Sequence, residues 1–301
     1  MNISIISLLA RTLALATPIA LCGVGGLFGE RSGISNIGLE GTMVFGAFAA
    51  VLGSYYTGNP WLGLLMGALA GTLISLLHAY FCISLAVNHS VVGLAVNILA
   101  SSVTIYLSSL IFRNKGFTPN VAKLANVSIP GLRRIPGIGP LFTDLSPITL
   151  VAVMFVIAAS YLLFHTRFGL HVMACGEAPK AAHVMSVKVK RTQYLAVMLG
   201  GLTCGLGGAY LSISYLSQFV RDMVAGRGFI AIAAILIGRY HPIGILLAAL
   251  FFGFADALQM SLQGTVTIPH ELIQCIPYLL TIIAVSINEW RRMQANLVKQ
   301  S

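Results

Sequence analysis

Five polar side chains lie in or beside long apolar runs: Asn36, Glu40, Asn97, Asp256 and Gln259. Groups of this kind can offer donors and acceptors to a polar solute crossing a bilayer. The two carboxylates, Glu40 and Asp256, can alternatively exchange H⁺ or Na⁺ and so couple transport to an ion gradient. Each position also has a plainer explanation. Asn36 can start a helix with Glu40 in its first turn, and Asn97 can be a hydrogen bond between helices. A second constellation is Gly176-Glu177-Ala178-Pro179-Lys180-Ala181-Ala182, inside a basic stretch over residues 166–192. Gly176 is expected to break the preceding segment. Pro179 suits a first helical turn, where a missing N–H costs little. Glu177 stands just ahead of that turn, where negative charge suits the helix dipole. The stretch reads as a cytoplasmic loop carrying a short docking helix, or more simply as a solvated loop held inside by its charges.

Other chemistry is missing. No G-x-x-x-x-G-K-[ST] loop occurs, so ATP binding by such a loop is excluded. His270-Glu271 starts like a zinc-protease motif, but position 274 is Gln. Gly205-Leu206-Gly207-Gly208 is not a dinucleotide fingerprint. The five cysteines (Cys22, Cys82, Cys175, Cys204, Cys275) have no metal spacing and no C-x-x-C, so neither a metal site nor a disulfide framework is expected. Cys175 lies in the polar loop and reads as a free thiol.

The elements that must position these residues follow from composition. Of 301 residues, 57% are hydrophobic and only 9% charged, and mean hydropathy is +0.89. Soluble domains run near 25% charged. The apolar runs approach the ~20 residues a helical span needs and lack the period-two alternation of a barrel. The expected fold is therefore all-α, a single polytopic bundle over residues 1–301 with about 8–10 helices. The net charge of +10 is distributed as topology signals: of 18 Lys and Arg, five lie in 166–191, five in 113–134 and three after Glu289. No aromatic-rich basic module for nucleic acid is present.

In order, spans are expected over Ile5–Leu27 with a kink at Pro18, then from Ile34 to Tyr56, Trp61–Val87, Val91–Phe112, Ile148–Phe164, Tyr194–Leu216, Ile243–Leu262 and Leu272–Ile287. The Gly29-Glu30-Arg31-Ser32-Gly33 segment would end the first span. Gly63, Gly67 and Gly71 make a small-residue stripe for tight helix contact. His78 reads as a packed or interhelical hydrogen-bonding residue. Residues 113–147 form a proline-rich polar connection. The run 229–238 covers only about half a bilayer and predicts a half-helix or re-entrant element, tolerated where protein or water covers its ends. The N-terminus lacks the basic start and cleavage site of a signal peptide and reads as the first membrane helix. If the 166–191 loop and the basic tail are both cytoplasmic, an even number of crossings separates them. That gives about nine crossings, the N-terminus outside, and the basic 113–134 loop external.

Four blocks, in order, carry a family resemblance: Ser35-Asn36-Ile37-Gly38-Leu39-Glu40-Gly41; Leu77-His78-Ala79 with Gly93-Leu94-Ala95-Val96-Asn97; Gly176 to Ala182; and Gly226 to Ala234 with Gly238 to Gly244. Over about residues 10–290 the chain resembles ABC importer permeases of the ribose/branched-chain amino acid superfamily, closest to the nucleoside importer permeases. Met185-Ser186-Val187 departs from the family, which has a Gly-Ile pair there. The resemblance implies a non-enzymatic transport subunit in a bacterial inner membrane. Its 176–182 helix would dock on a cytoplasmic ABC ATPase, and ATP and Mg would bind there, with no cofactor on this chain. It also implies a second, different permease chain, an external substrate-binding lipoprotein and surrounding lipid. The cargo would be a nucleoside, with a simple sugar or another small polar solute as the alternative. An ion-coupled secondary transporter is the competing class.

Overall fold

The computed structural model describes residues 5–114, 116–126, 145–262 and 286. Among them are ten α-helices: α1 (Ile5–Arg31), α2 (Leu39–Thr57), α3 (Pro60–Ala79), α4 (His89–Phe112), α5 (Pro147–His165), α6 (Arg167–Glu177), α7 (Pro179–Val184), α8 (Val189–Ala209), α9 (Arg227–Ile237) and α10 (Pro242–Leu262). Short π-helical turns extend α3 over Tyr80–Ser84 and α8 over Tyr210–Leu216. Six of these segments are long and apolar enough to cross a membrane. The expected all-α bundle is what folds. The span expected over Leu272–Ile287 and the basic tail lie outside the described residues.

Centrally placed helices are packed through glycines. Lipid tails are as apolar as leucine, so helices in a bilayer gain by close van der Waals approach rather than by hydrophobic exclusion. A Cβ on Gly67 would stand 2.8 Å from the Gly46 carbonyl oxygen, and one on Gly46 would stand 2.6 Å from Gly205 Cα. The stripe predicted on α3 is thus the seam joining α2, α3 and α8. Helices α1 and α8 are mostly buried, whereas α4, α5 and α10 present Ile98, Met154, Ile157 and Leu247 outward.

Two boundaries differ from expectation for clear reasons. Helix α1 continues unbroken through Pro18 and past Leu27 to Arg31. Its last turn is fixed from outside: Arg31 Nη2 donates to the Tyr240 carbonyl at 2.9 Å, and its guanidinium lies 5.6 Å from the Tyr240 ring centroid. Helix α2 starts at Leu39 behind the N-cap Gly38, not at Asn36. Asn36 Oδ1 accepts the Gly38 N–H at 2.9 Å, a local turn that shapes the entry without capping the helix.

Of the polar connection after α4, residues 117–124 form a strap along the chain that follows α8. Val121 N–H donates to Ser217 O at 2.9 Å and Leu124 N–H to Ile213 O at 3.1 Å. His78 is fully buried, the packed residue expected, with Nε2 3.2 Å from the Ser35 carbonyl in the α1–α2 connection rather than on another helix.

Candidate functional site

The half-length element is real and explains the polar residues around it. Helix α9 has 11 residues, about 16 Å. The first four N–H groups of any helix lack intrahelical partners, and inside a bilayer no water satisfies them at low cost. Glu40 supplies acceptors. Gly226 N–H donates to Glu40 Oε1 at 2.9 Å, and Gly228 N–H to Oε2 at 2.7 Å. Gly226 enters at φ +79, left-handed backbone that favours glycine. Gly228 allows the close approach, since a Cβ there would stand 2.5 Å from Glu40 Cα. The carboxylate at the start of α2 therefore caps another helix.

Between these glycines, Arg227 turns the other way. Its Nη2 lies 3.5 Å from Asp256 Oδ2 on α10, and both side chains are largely buried. Arg227 Nη1 also donates to the carbonyls of Met223 and Val224. Glu40 and Asp256, far apart in sequence, are thus joined through three consecutive residues. Asn97 belongs to the same knot: its Oδ1 accepts the Gly41 N–H at 2.8 Å, and its Nδ2 donates to Ile37 O at 3.1 Å. It secures α4 to the start of α2. Gln259 lies half-buried three residues beyond Asp256 on α10.

At the other end of α9 lies the predicted docking stretch. Helix α6 runs through Gly176 to Glu177, so the expected break at Gly176 occurs two residues later, at Ala178. The reason is packing. A Cβ at Gly176 would collide with the Arg31 carbonyl, so this glycine lets the end of α6 lie against the α1–α2 turn. Opposite it, Gly33 takes φ +83. Pro179 occupies the first turn of α7 as expected. Glu177, Ala178, Pro179, Lys180 and Ala181 are exposed, whereas Ala182 is buried. Beyond it Val184 and Met185 are 81% and 78% exposed, an apolar tip that none of the described residues covers. Ser186 stands at φ +62, a backbone state where glycine is at ease, matching the point at which this sequence departs from the family pattern.

The same corner gathers several elements. Gln193 Nε2 on α8 donates to Ser32 O at 3.1 Å, and Ser35 Oγ donates to Glu30 Oε1 at 2.6 Å. Arg31 reaches Tyr240 in the turn joining α9 to α10. A displacement at α6–α7 would therefore bear directly on α1, the α1–α2 turn and α8, and through Arg31 on the turn that follows α9. Sequence reasoning missed Arg31 and Arg227. The available signal was charge matching: a lone arginine beside a half-length apolar run and a lone carboxylate in a neighbouring span need each other.

Cys175, expected as a free thiol in the loop, is free but 1% exposed. Burial raises its pKa above the ordinary thiol value, with a smaller opposing contribution from the Thr192 hydroxyl. The thiolate fraction near neutral pH is reduced accordingly. Maleimide labelling at pH 7 of this chain purified in detergent without its ATPase partner should leave Cys175 unmodified while a Lys180→Cys thiol reacts, and mass spectrometry distinguishes the two. Among the described residues, no group of three or more His, Cys, Asp or Glu is placed to hold a metal ion.

Six segments able to cross a membrane, packed around a buried pair of opposite charges, give the architecture of an integral membrane helical bundle. Residues 8–285 match the family model described as branched-chain amino acid transport system / permease component, and the chain belongs to that family. It is 40% identical to the guanosine ABC transporter permease protein NupQ of Bacillus subtilis, over 91% of this chain and 89% of NupQ. It is 35% identical to the nucleoside ABC transporter permease protein NupC of Lactococcus lactis, over 93% and 91%. Among solved structures, a chain from an ABC transporter in an inward-facing conformation aligns at TM-score 0.50 and 17% identity, covering 93% of this chain and 84% of that one. That likeness concerns the fold.

Proposed function

We propose that this chain is the membrane-spanning half of an ATP-driven nucleoside importer. In this reading it works beside a second permease chain, on two cytoplasmic ATPase sites, with an external binding protein delivering cargo. It binds no cofactor itself; ATP and Mg belong to the ATPases. The observation that carries the coupling is the exposed 177–185 element, seated through Gly176 against the α1–α2 turn. Closure of the ATPases would push α7, and α6 would pass the push to Arg31 and Tyr240. Helix α9 would carry it to the Glu40–Asp256 knot. This is a two-state element biased by a distant ligand.

The identities to guanosine and nucleoside permeases support the cargo class. The engagement of both membrane carboxylates argues against ion coupling: Glu40 is held by two N–H groups and Asp256 by Arg227. The test is uptake of labelled guanosine, and separately glucose, into proteoliposomes holding the complete complex and its binding protein. Guanosine uptake that stops when the ATPase is inactivated is the expected result. Uptake that survives ATPase inactivation but collapses with the ion gradient would overturn the mechanism, and uptake of glucose alone would overturn the cargo.

A further inference from the structure

A cleft on the flank of the bundle is lined almost wholly by hydrocarbon. It has a volume of about 340 Å³ and lies between α3, α5, α6 and α8. Leu195, Leu199 and Leu202 of α8 line it, with Leu162 of α5, Phe168 of α6 and Thr72 of α3 around them. Thr72 is the one polar side chain in the lining, and its hydroxyl donates to Ala68 O of its own helix at 2.9 Å. The cleft therefore presents no unpaired side-chain donor to whatever fills it.

The helices fix where its two ends lie. Ser84, closing the π-helical extension of α3, shares a 2.6 Å hydrogen bond with the hydroxyl of Tyr194 in the second turn of α8. These two helix ends therefore stand at one membrane face, where α5 also passes into α6. At the other end Gly71, next to Thr72, packs directly on the Gly201 carbonyl, next to Leu202. From Arg191 to Leu202 the helix rises about 16 Å, close to one leaflet of a hydrocarbon layer about 30 Å thick. The end at that face is cationic. Arg191, Leu195, Leu199 and Leu202 recur at spacings of four, four and three residues and so share one side of α8. Arg167 directly precedes Phe168 at the start of α6. Both arginines are exposed, and among the described residues neither is paired with a carboxylate. Arg191 also lines a recess with Lys188, Lys190 and His183.

We infer that this cleft is a binding site for one anionic phospholipid, with an acyl chain along Leu195–Leu202 and the phosphate on Arg191 and Arg167. A phospholipid carries the two required chemistries in the required order, hydrocarbon toward the midplane and an anion at the face. Guanidinium groups match phosphate oxygens in bidentate pairs, and basic pockets between spans at a membrane face select anionic headgroups. A protein helix laid in the same cleft would fill it but would have to bring carboxylates for two unpaired arginines, whereas the lipid brings its own anion. Helix α6 leads into the exposed α7, so a lipid wedged between α6 and α8 braces the arm that carries α7. The site depends on the membrane setting of the chain and is independent of its cargo.

The test places the full complex in phosphatidylcholine nanodiscs doped with a photoreactive lipid. The probe is either phosphatidylglycerol or phosphatidylcholine, each with a diazirine midway along one acyl chain, and mass spectrometry locates the adducts after illumination. The phosphatidylglycerol probe should label Leu195–Leu202 and Leu162 about tenfold more than the phosphatidylcholine probe does. At Ile98, which points outward from α4, the two probes should label equally. The Arg167→Gln/Arg191→Gln double variant should erase the preference at the cleft and leave labelling at Ile98 unchanged. Equal labelling of the cleft by both probes would overturn the proposal. Labelling at Ile98 with none in the cleft would overturn it too, by showing that another protein chain covers the cleft. The comparison of probes uses the unaltered chain, so it decides the matter even where the double variant fails to assemble.

Discussion

Replacing Glu40 by alanine is expected to cut uptake at least tenfold and to lower the thermal stability of the purified complex. The carboxylate accepts two backbone N–H bonds at the start of α9. Removing it leaves both donors without acceptors at membrane depth. Each buried unsatisfied group costs ~1–3 kcal/mol, and a tenfold change in an equilibrium is only about 1.4 kcal/mol. Glu40→Gln keeps one carbonyl oxygen and should fall between wild type and alanine. The readout separates two roles. A residue that only touched cargo would change the apparent KM and leave stability alone. A residue that caps α9 changes stability with no cargo present, and a differential scan of detergent-purified protein measures that directly.

Breaking the Arg227–Asp256 pair is expected to be the second large effect. Removing one partner of a buried pair typically costs about 3–5 kcal/mol, because a charge is left alone in a poor solvent. Asp256→Leu should be milder than Arg227→Met. Arg227 keeps its bonds to the Met223 and Val224 carbonyls after Asp256 is lost, whereas among the described residues Asp256 is paired with Arg227 alone. The double variant Arg227→Met/Asp256→Leu should be more stable than the Arg227→Met single. A coupling of at least ~1 kcal/mol in a double-mutant cycle would identify the pair as structural. Additive losses would instead mean that each residue acts separately.

Much of this was legible in the sequence, and the rest was hidden for physical reasons. Apolar run length gave the spans, since hydrocarbon thickness fixes helix length. The half-helix was legible because 11 residues cannot cross. The glycine stripe on α3 announced its own seam. Pro179 marked the first turn of α7, a strictly local effect. What could not be read was which polar groups meet. Glu40 looked like a cap for its own helix, and only the return of the chain 186 residues later brings Gly226 to it. Gly176 looked like a helix breaker because glycine is conformationally costly in helices. Its actual use is close approach to the Arg31 carbonyl, a tertiary fact.

The reading as an ATP-driven permease depends most on what sits over α7. The direct measurement places a photo-crosslinking benzophenone amino acid at Lys180 in the intact cell membrane and identifies the captured protein by mass spectrometry. The expected product is a crosslink to a cytoplasmic ATPase subunit, lost when the same label is moved to Ile157. Crosslinks at Lys180 confined to lipid, or to a protein on the outer face, would contradict a motor-driven permease.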